Sequence, residues 1–317
     1  MIGEEHFPYH VPPGAANPTD MPEDEVVALF TECSNRGRWG DDDELGTLNY
    51  ITPAKRVQAA GLVRTGRFVS LGRDIDTVQS AVNPQPAIHQ MLFYNRHALT
   101  CVDSIALGIH GNATTHLDAL GHIFWGERVY NGRSQADVVT PGGLMYANIL
   151  AQKEGIFTRG VLLDVAATRG VPWLTPDQSV TPQDLEAAER TSGVRVEPGD
   201  AVVVHVGLEA REHVEGAEDP RMRAGLDAGA VRWLHQRRVA VFTGDCFERI
   251  PQPYRRVPLP LHQVGLVAMG LVLLDNPTLA ELVRTCKSLG RAEFLLTAAP
   301  LRIPNGTGSP VNPIAGF

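Results

Sequence analysis

The stretch IHGNATTHLDALGHIFWGERVYNG, residues 109–132, places His110, His116, Asp118 and His122 within thirteen positions. A β-strand turns its side chains to alternate faces, so if SIALGIHGNATTHLD (104–118) is extended, His110, Asn112, Thr114, His116 and Asp118 share one face. Gly111 can interrupt that register, but His116 and Asp118 lie beyond it and stay together. His122 comes four residues after Asp118, the spacing expected if the chain turns helical there. Two imidazoles and a carboxylate on one face suit zinc, manganese or iron, with positions left for water and substrate. A strand that buries both groups must compensate their desolvation, so the HxD pair reads as a ligand pair. On the blander reading His110 and His122 are incidental surface or core histidines.

Outward from this stretch the chain alternates short apolar runs with turns and helices. RFVSLGRDI, SIALGIHG, GVLLDVA, DAVVVHVG, VAVFTGD, GLVLLD and EFLLTAAP have the length, apolar content and Gly, Pro or Asp boundaries of strands. Helices are signalled at 22–33, at 52–63 with Thr52 as cap and Pro53 first, at 181–193 with Thr181, Pro182 and Gly193, at 223–237, and at 276–290 with Asn276 as cap. There is no internal repeat and no linker in the middle. The expected fold is a single α/β domain with a central mixed β-sheet flanked by helices, spanning 21–317. Proline, glycine and asparagine crowd residues 1–20, which reads as an extended N-terminal arm, packed over a neighbouring subunit or disordered.

Composition limits what such a domain does. At 317 residues and a formal charge of −8, the chain can bury a large core and is poorly suited to nucleic acid or an anionic membrane surface. No apolar run approaches the roughly 20 residues of a membrane span. The start, MIGEEHFPYHVPPGAANP, lacks a basic flank and apolar core, so a cytoplasmic location is expected. Cys33, Cys101, Cys246 and Cys286 are dispersed and read as reduced thiols. The chain has no GxSxG elbow, no Walker loop and no GxGxxG turn.

The 109–132 stretch resembles the signature HxGTHxDxPxH of the metal-dependent cyclase family, which includes bacterial kynurenine formamidases and isatin hydrolases. His116, Asp118 and His122 match its second histidine, its aspartate and its last histidine. Its first histidine falls on Asn112, its glycine on Thr114 and its proline on Leu120. Either His110 replaces the missing histidine, or Asn112 supplies an amide oxygen, or the site is one ligand short. GRWGDDDELGTLNYITP (37–53), GVLLDVA followed by VEPGDAVVVHVG, and APLRIPNGTGSPVNPIAGF are similar, in order, to segments of the longer members, so the resemblance covers the chain from about Trp39 onward.

That resemblance implies a swivelling β/α fold with a mixed or barrel-like sheet. It also implies one or two divalent ions, Mn2+ or Zn2+, held by His116, Asp118 and His110. His262 and Asp275 fall near the places of a histidine and a glutamate that complete the formamidase site. For Asp275 the alternative is a strand-end carboxylate serving the next helix. The family's proton-shuttling histidine maps to His122. Asp245 ends the strand VAVFTGD and is a candidate catalytic carboxylate, with helix capping as its alternative and Glu248 as a neighbour. His205, inside VVVHVG, reads as a hydrogen-bonded core residue. Phe124, Trp125, Tyr130 and Asn112 are candidates for the substrate wall. The first three read equally as core. Tyr94, Asn95, Asn131 and NGTGSP (305–310) lie near the site only by the resemblance.

The expected activity is hydrolysis of an amide, formamide or cyclic amide C–N bond in a small aromatic or cyclic molecule. A lactone or other ester comes next, then a lyase on the same ion, then a small-molecule binder without turnover. A homodimer or homotetramer is expected from similar proteins.

Overall fold

The computed structural model describes residues 11–93 and 99–317. One nine-stranded sheet organises them: β1 (Phe68–Ser70), β2 (His116–Asp118), β3 (Ile156–Asp164), β4 (Ala201–His205), β5 (Val241–Gly244), β6 (Val272–Asp275), β7 (Glu293–Ala298), β8 (Gly308–Pro310) and β9 (Ile314–Gly316). The order across it is β1, β9, β7, β3, β4, β5, β6, β2, β8. The central strands β3 to β6 are parallel, and the strands on either side of them are antiparallel. The sheet is therefore mixed, and β1 and β8 are its unpaired edges among the described residues.

The apolar runs that lacked alternation are these parallel strands. Val202, Val203, Val241, Phe242, Val272 and Leu273 are all fully buried, because crossover helices cover both faces of a parallel sheet. Helix signals were equally local. Pro182–Ser192 begins with a capping box between Thr181 and Asp184 and ends at left-handed Gly193. In Pro53–Ala60 the Thr52 side chain accepts from the Lys55 N–H. The helix expected over 223–237 is shorter, Ala228–Gln236, because Asp227 caps it.

Three expectations need correcting. The 104–118 stretch is not one extended strand. Val102–Ala106 pairs with Ile88–Phe93 in a separate two-stranded ribbon, residues 107–115 are irregular with Gly111 at φ 114°, and only His116–Asp118 joins the sheet. Nor does a helix follow Asp118; His122 closes a turn by donating its N–H to the Ala119 carbonyl, 2.9 Å away. Asn276 caps nothing. The last long helix is Ala280–Leu289, and Glu209 accepts the N–H groups of Leu279 and Ala280 at its start.

The described part of the N-terminal arm, 11–20, lies on its own chain. Buried Arg249 donates to the Ala15 carbonyl and pairs with Asp20 at 2.7 Å. No described helix is long and apolar enough to cross a membrane. All four cysteines are free, and only Cys101 is exposed.

What positions the site is one edge of the parallel core. β3, β4 and β6 end in Asp164, His205 and Asp275, and Asp245 follows β5 directly. Residues at the carboxyl ends of parallel strands project past the sheet, where α/β proteins hold their ligands.

Candidate metal centre

β2 lies between β6 and β8, with His116 opposite Asp275 and Asp118 opposite Gly308. Directly paired residues on adjacent strands share a face, so this register sets Asp275 beside the HxD pair. Leu117, between them in sequence, points the other way into the core. His116 and Asp118 are 2% and 1% exposed, so the floor of the site is shut off from water.

The loop 107–115 returns His110 to this floor. Its Nδ1 stands 3.0 Å from Asp118 Oδ1, and its Nε2 stands 3.0 Å from the Thr307 hydroxyl. The Asn276 side chain holds the loop down by donating to the Gly111 and Thr114 carbonyls. At Gly308 a Cβ would come within 2.7 Å of the His110 ring, so a side chain there would displace the imidazole. His122 stacks flat on His110, with ring centroids 3.6 Å apart. From the far side His262 brings Nε2 to 3.1 Å from Asp275 Oδ2 and 4.0 Å from Asp118 Oδ2. Its Nδ1–H donates to Glu248, which is fully buried.

Two overlapping groups meet at Asp118: His110 with His122, and His116 with Asp275. Both oxygens of Asp118 and Nδ1 of His110 are buried without a hydrogen bond, although they lie 3.0 Å apart at the closest. Such atoms are not aimed at each other. Ligands bound at 2.0–2.2 Å to a common ion stand about 3.0–3.5 Å apart in octahedral or tetrahedral geometry. The His110–Asp118 spacing of 3.0 Å and the His116 Nε2–Asp118 spacing of 3.5 Å fall in that range. The Thr114 carbonyl accepts from His116 Nδ1–H, which leaves Nε2 with its lone pair toward Asp118, the arrangement in which metal-binding histidines are held. The residues present therefore fit a divalent ion with nitrogen and oxygen ligands.

Electrostatics agree. Burial alone would lower the His116 pKa, but the neighbouring carboxylates of Asp118 and Asp275 raise it to about 9. His262 is likewise raised well above the ordinary imidazole value, against burial, by Glu248 and Asp275. Carboxylates that draw protons onto these rings draw a cation to the same place, and metal binding displaces the protons. His122 behaves oppositely. Burial and the neighbouring imidazoles lower it to about 4, against the pull of Asp118, so it is neutral at pH 7.

The structure thus brings together His110, His116, Asp118, His122, His262 and Asp275. It does not bring in Asp245. That carboxylate accepts the N–H groups of Val206, Gly207 and Leu208 at 2.7–2.9 Å, so its lone pairs serve the start of the helix Leu208–Glu215. Tyr130 is also withdrawn from the substrate wall, since it is buried and donates its hydroxyl to Asp43. Asn112 is half-buried on the loop. Phe124 is half-buried against the core, and Trp125 stacks on Phe30. Asn131 anchors the 37–46 loop by donating to Gly40 and Asp41, and Tyr94 and Asn95 lie outside the described residues. His205 pairs with Asp164 at 2.9 Å.

Glu248 and Asn276 went unrecognised as supports of the site, whereas Thr307 lies in the 305–310 segment that the resemblance puts near it. Glu248 lies fourteen residues before its partner His262 and carries no local signal. Asn276 has φ 55°, a left-handed conformation that asparagine tolerates, and this conformation, not capping, explains an asparagine after a strand.

The Cyclase family model matches residues 69–248, more than half of the chain. The crystal structure of a novel cyclase is 33% identical, covers 90% of this chain and 99% of its own, and superposes with a TM-score of 0.81. Isatin hydrolase A from Labrenzia aggregata, bound to benzyl benzoate, is 19% identical over 81% of this chain and 94% of its own, with a TM-score of 0.58. Isatin hydrolase A from Ralstonia solanacearum is 21% identical over 82% and 95%, at 0.57. These two likenesses establish the fold. No curated protein sequence matches the chain. With the family model spanning most of the sheet and a third of the residues shared with a solved cyclase, the chain belongs to the Cyclase family.

Proposed function

We propose that this chain is a metal-dependent hydrolase that opens the C–N bond of a small aromatic or cyclic amide. The observation that carries the proposal is the Asp118 carboxylate, 1% exposed, with neither oxygen hydrogen-bonded and four imidazoles and a second carboxylate around it. A lone buried carboxylate is strongly disfavoured, and a bound cation removes the penalty. His110, His116, Asp118, His262 and Asp275 are the residues that would hold one or two ions of Mn2+ or Zn2+.

A divalent ion there supplies a Lewis acid for the carbonyl and lowers the pKa of water from 15.7 to roughly 7. The chain's own residues do the rest. Glu248 fixes the His262 tautomer with Nε2 facing inward. Thr307 and Asn276 hold His110 and its loop. His122, neutral at pH 7, accepts the proton of the attacking water and passes it to the leaving nitrogen as the C–N bond breaks, which yields a carboxylate and an amine. Access is from the side of His110, whose side chain is 26% exposed, while the floor is closed. The half-buried Phe124 follows His122 by two residues, and a flat ring would pack there. The printed names of two similar structures, isatin hydrolases, support a cyclic amide as the first substrate class to try.

The test is ring opening of isatin and hydrolysis of an aryl formamide by protein stripped with chelator and reloaded with Mn2+ or Zn2+. Carboxylate product that depends on the reloaded metal and disappears in Asp118→Asn is expected. Metal-loaded, folded protein that cleaves neither amide but opens a lactone would move the proposal to esters.

A further inference from the structure

We propose that Arg73 selects the substrate of the metal centre by pairing with a carboxylate on it, so that the amide cleaved here is one that carries a negative charge. The inference rests on the hydrolase reading of that centre.

Arg73 lies just beyond β1 and is stitched to both strands that carry the site. Its N–H donates to the Thr115 hydroxyl at 2.8 Å, and that hydroxyl donates to the Asn276 carbonyl at 2.7 Å. The Arg73 Nε donates to the same carbonyl at 3.2 Å. Thr115 precedes His116 and Asn276 follows Asp275, so the guanidinium is anchored to the sequence neighbours of two ligands. With Nε tied, the end of the fork, Nη1 and Nη2, is left to match the two oxygens of a carboxylate. Arg73 is half-buried, and a charge pair there is stronger than in open water.

The positive charge has no counterpart in the chain. Arg223, 3% exposed, stands within electrostatic reach of both Arg73 and Asp275: burial and the Arg73 charge push its pKa down to about 10, against the pull of Asp275. It covers the Phe247 ring at 4.3 Å, and Phe247 meets the His262 ring edge-on at 5.6 Å. Arg223 has its own carboxylate, since its Nε donates to Glu218 at 3.0 Å. Arg73 pairs with no carboxylate among the described residues. Two guanidiniums in reach of each other repel, and an anion on the unpaired one offsets that repulsion. The arginines closest in sequence to the histidines are taken up elsewhere, Arg128 by the Gly132 carbonyl and Arg133 by Asp42.

Steady-state kinetics of Mn2+-loaded protein on formanilide and on 3- and 4-formamidobenzoate, which add one carboxylate to it, test the proposal. The wild type is expected to favour one formamidobenzoate at least tenfold, mainly in KM. Arg73→Met is expected to raise that KM about tenfold or more and to leave kcat and KM for formanilide within twofold, a split that a merely structural arginine would not produce. Should Arg73→Met misfold, Arg73→Lys, which keeps the charge but not the fork, must still raise KM for the formamidobenzoate alone. If folded protein cleaves none of the three, the hydrolase reading fails, and titration calorimetry with the same compounds decides on Arg73: tighter binding of a formamidobenzoate that Arg73→Met abolishes would uphold its role. No preference for a carboxylate, or a preference that survives in Arg73→Met, would overturn the proposal.

Discussion

Asp118 and Asp245 lie within the same sheet, one on β2 and one after β5, and are equally withdrawn from water at 1% and 3% exposure. Asp245 is surrounded by donors, with three backbone N–H groups on its two oxygens and His205 Nε2 at 3.8 Å. Asp118 has no hydrogen-bond donor on either oxygen and is ringed by imidazole nitrogens and Asp275. The first is a carboxylate built into the fold. The second is an anion whose partner the fold does not itself supply. Sequence position does not separate them, since both sit at strand ends in apolar surroundings; the partners do.

The comparison breaks most visibly if Asp118→Asn retains metal. We expect it to lose bound ion and more than 100-fold of the hydrolase activity, since even residues behind the ligands contribute 10–100-fold to metal affinity or rate. Asp245→Ala should do the reverse, keeping the metal and losing about 3 kcal/mol in chemical denaturation as three N–H groups are left without an acceptor.

His122→Ala should keep the full metal complement and lose about 10²-fold or more in kcat, the ordinary contribution of a general acid–base group. Glu248→Gln is expected to weaken metal affinity by about 10–100-fold, read by competition with a chelating dye, because the His262 tautomer is no longer fixed by a charged acceptor.

The smallest effect belongs to the structural half. His205, against burial, is raised to about 9 by Asp245 and Asp164. A histidine raised in the folded state contributes stability that is fully present below about pH 6.5 and lost as pH rises through 9. The contribution is on the order of 2–3 kcal/mol. In His205→Gln, that decline between pH 6.5 and 9 should flatten.

Much of this was legible in the sequence. His116 and Asp118 announce themselves because a three-residue strand obeys strict alternation, and the parallel core is visible as unbroken Val, Leu and Phe runs. Thr181, Asp184 and Gly193 mark their helix because capping is decided within a few residues. His110 reaches the site for a different reason than strand register suggests. It arrives on an irregular loop turned at Gly111 and pinned by Thr307 and Asn276, which come from almost two hundred and more than one hundred and sixty residues away. The last two strands hide in SPVNPIAGF, where proline and asparagine argue for a loop and only pairing with distant strands makes them extended. Glu248 and Asp245 stand three residues apart, and nothing local tells that one holds the His262 ring while the other accepts the N–H groups at a helix start.

The central claim is that Asp118 and its neighbours hold an ion. Metal content by inductively coupled plasma mass spectrometry, on protein purified without chelator or metal-affinity column, tests it most directly. The account predicts about one or two equivalents of manganese, zinc or iron in the wild type and a loss in Asp118→Asn. Wild-type protein that carries no metal and takes none up on titration would contradict it.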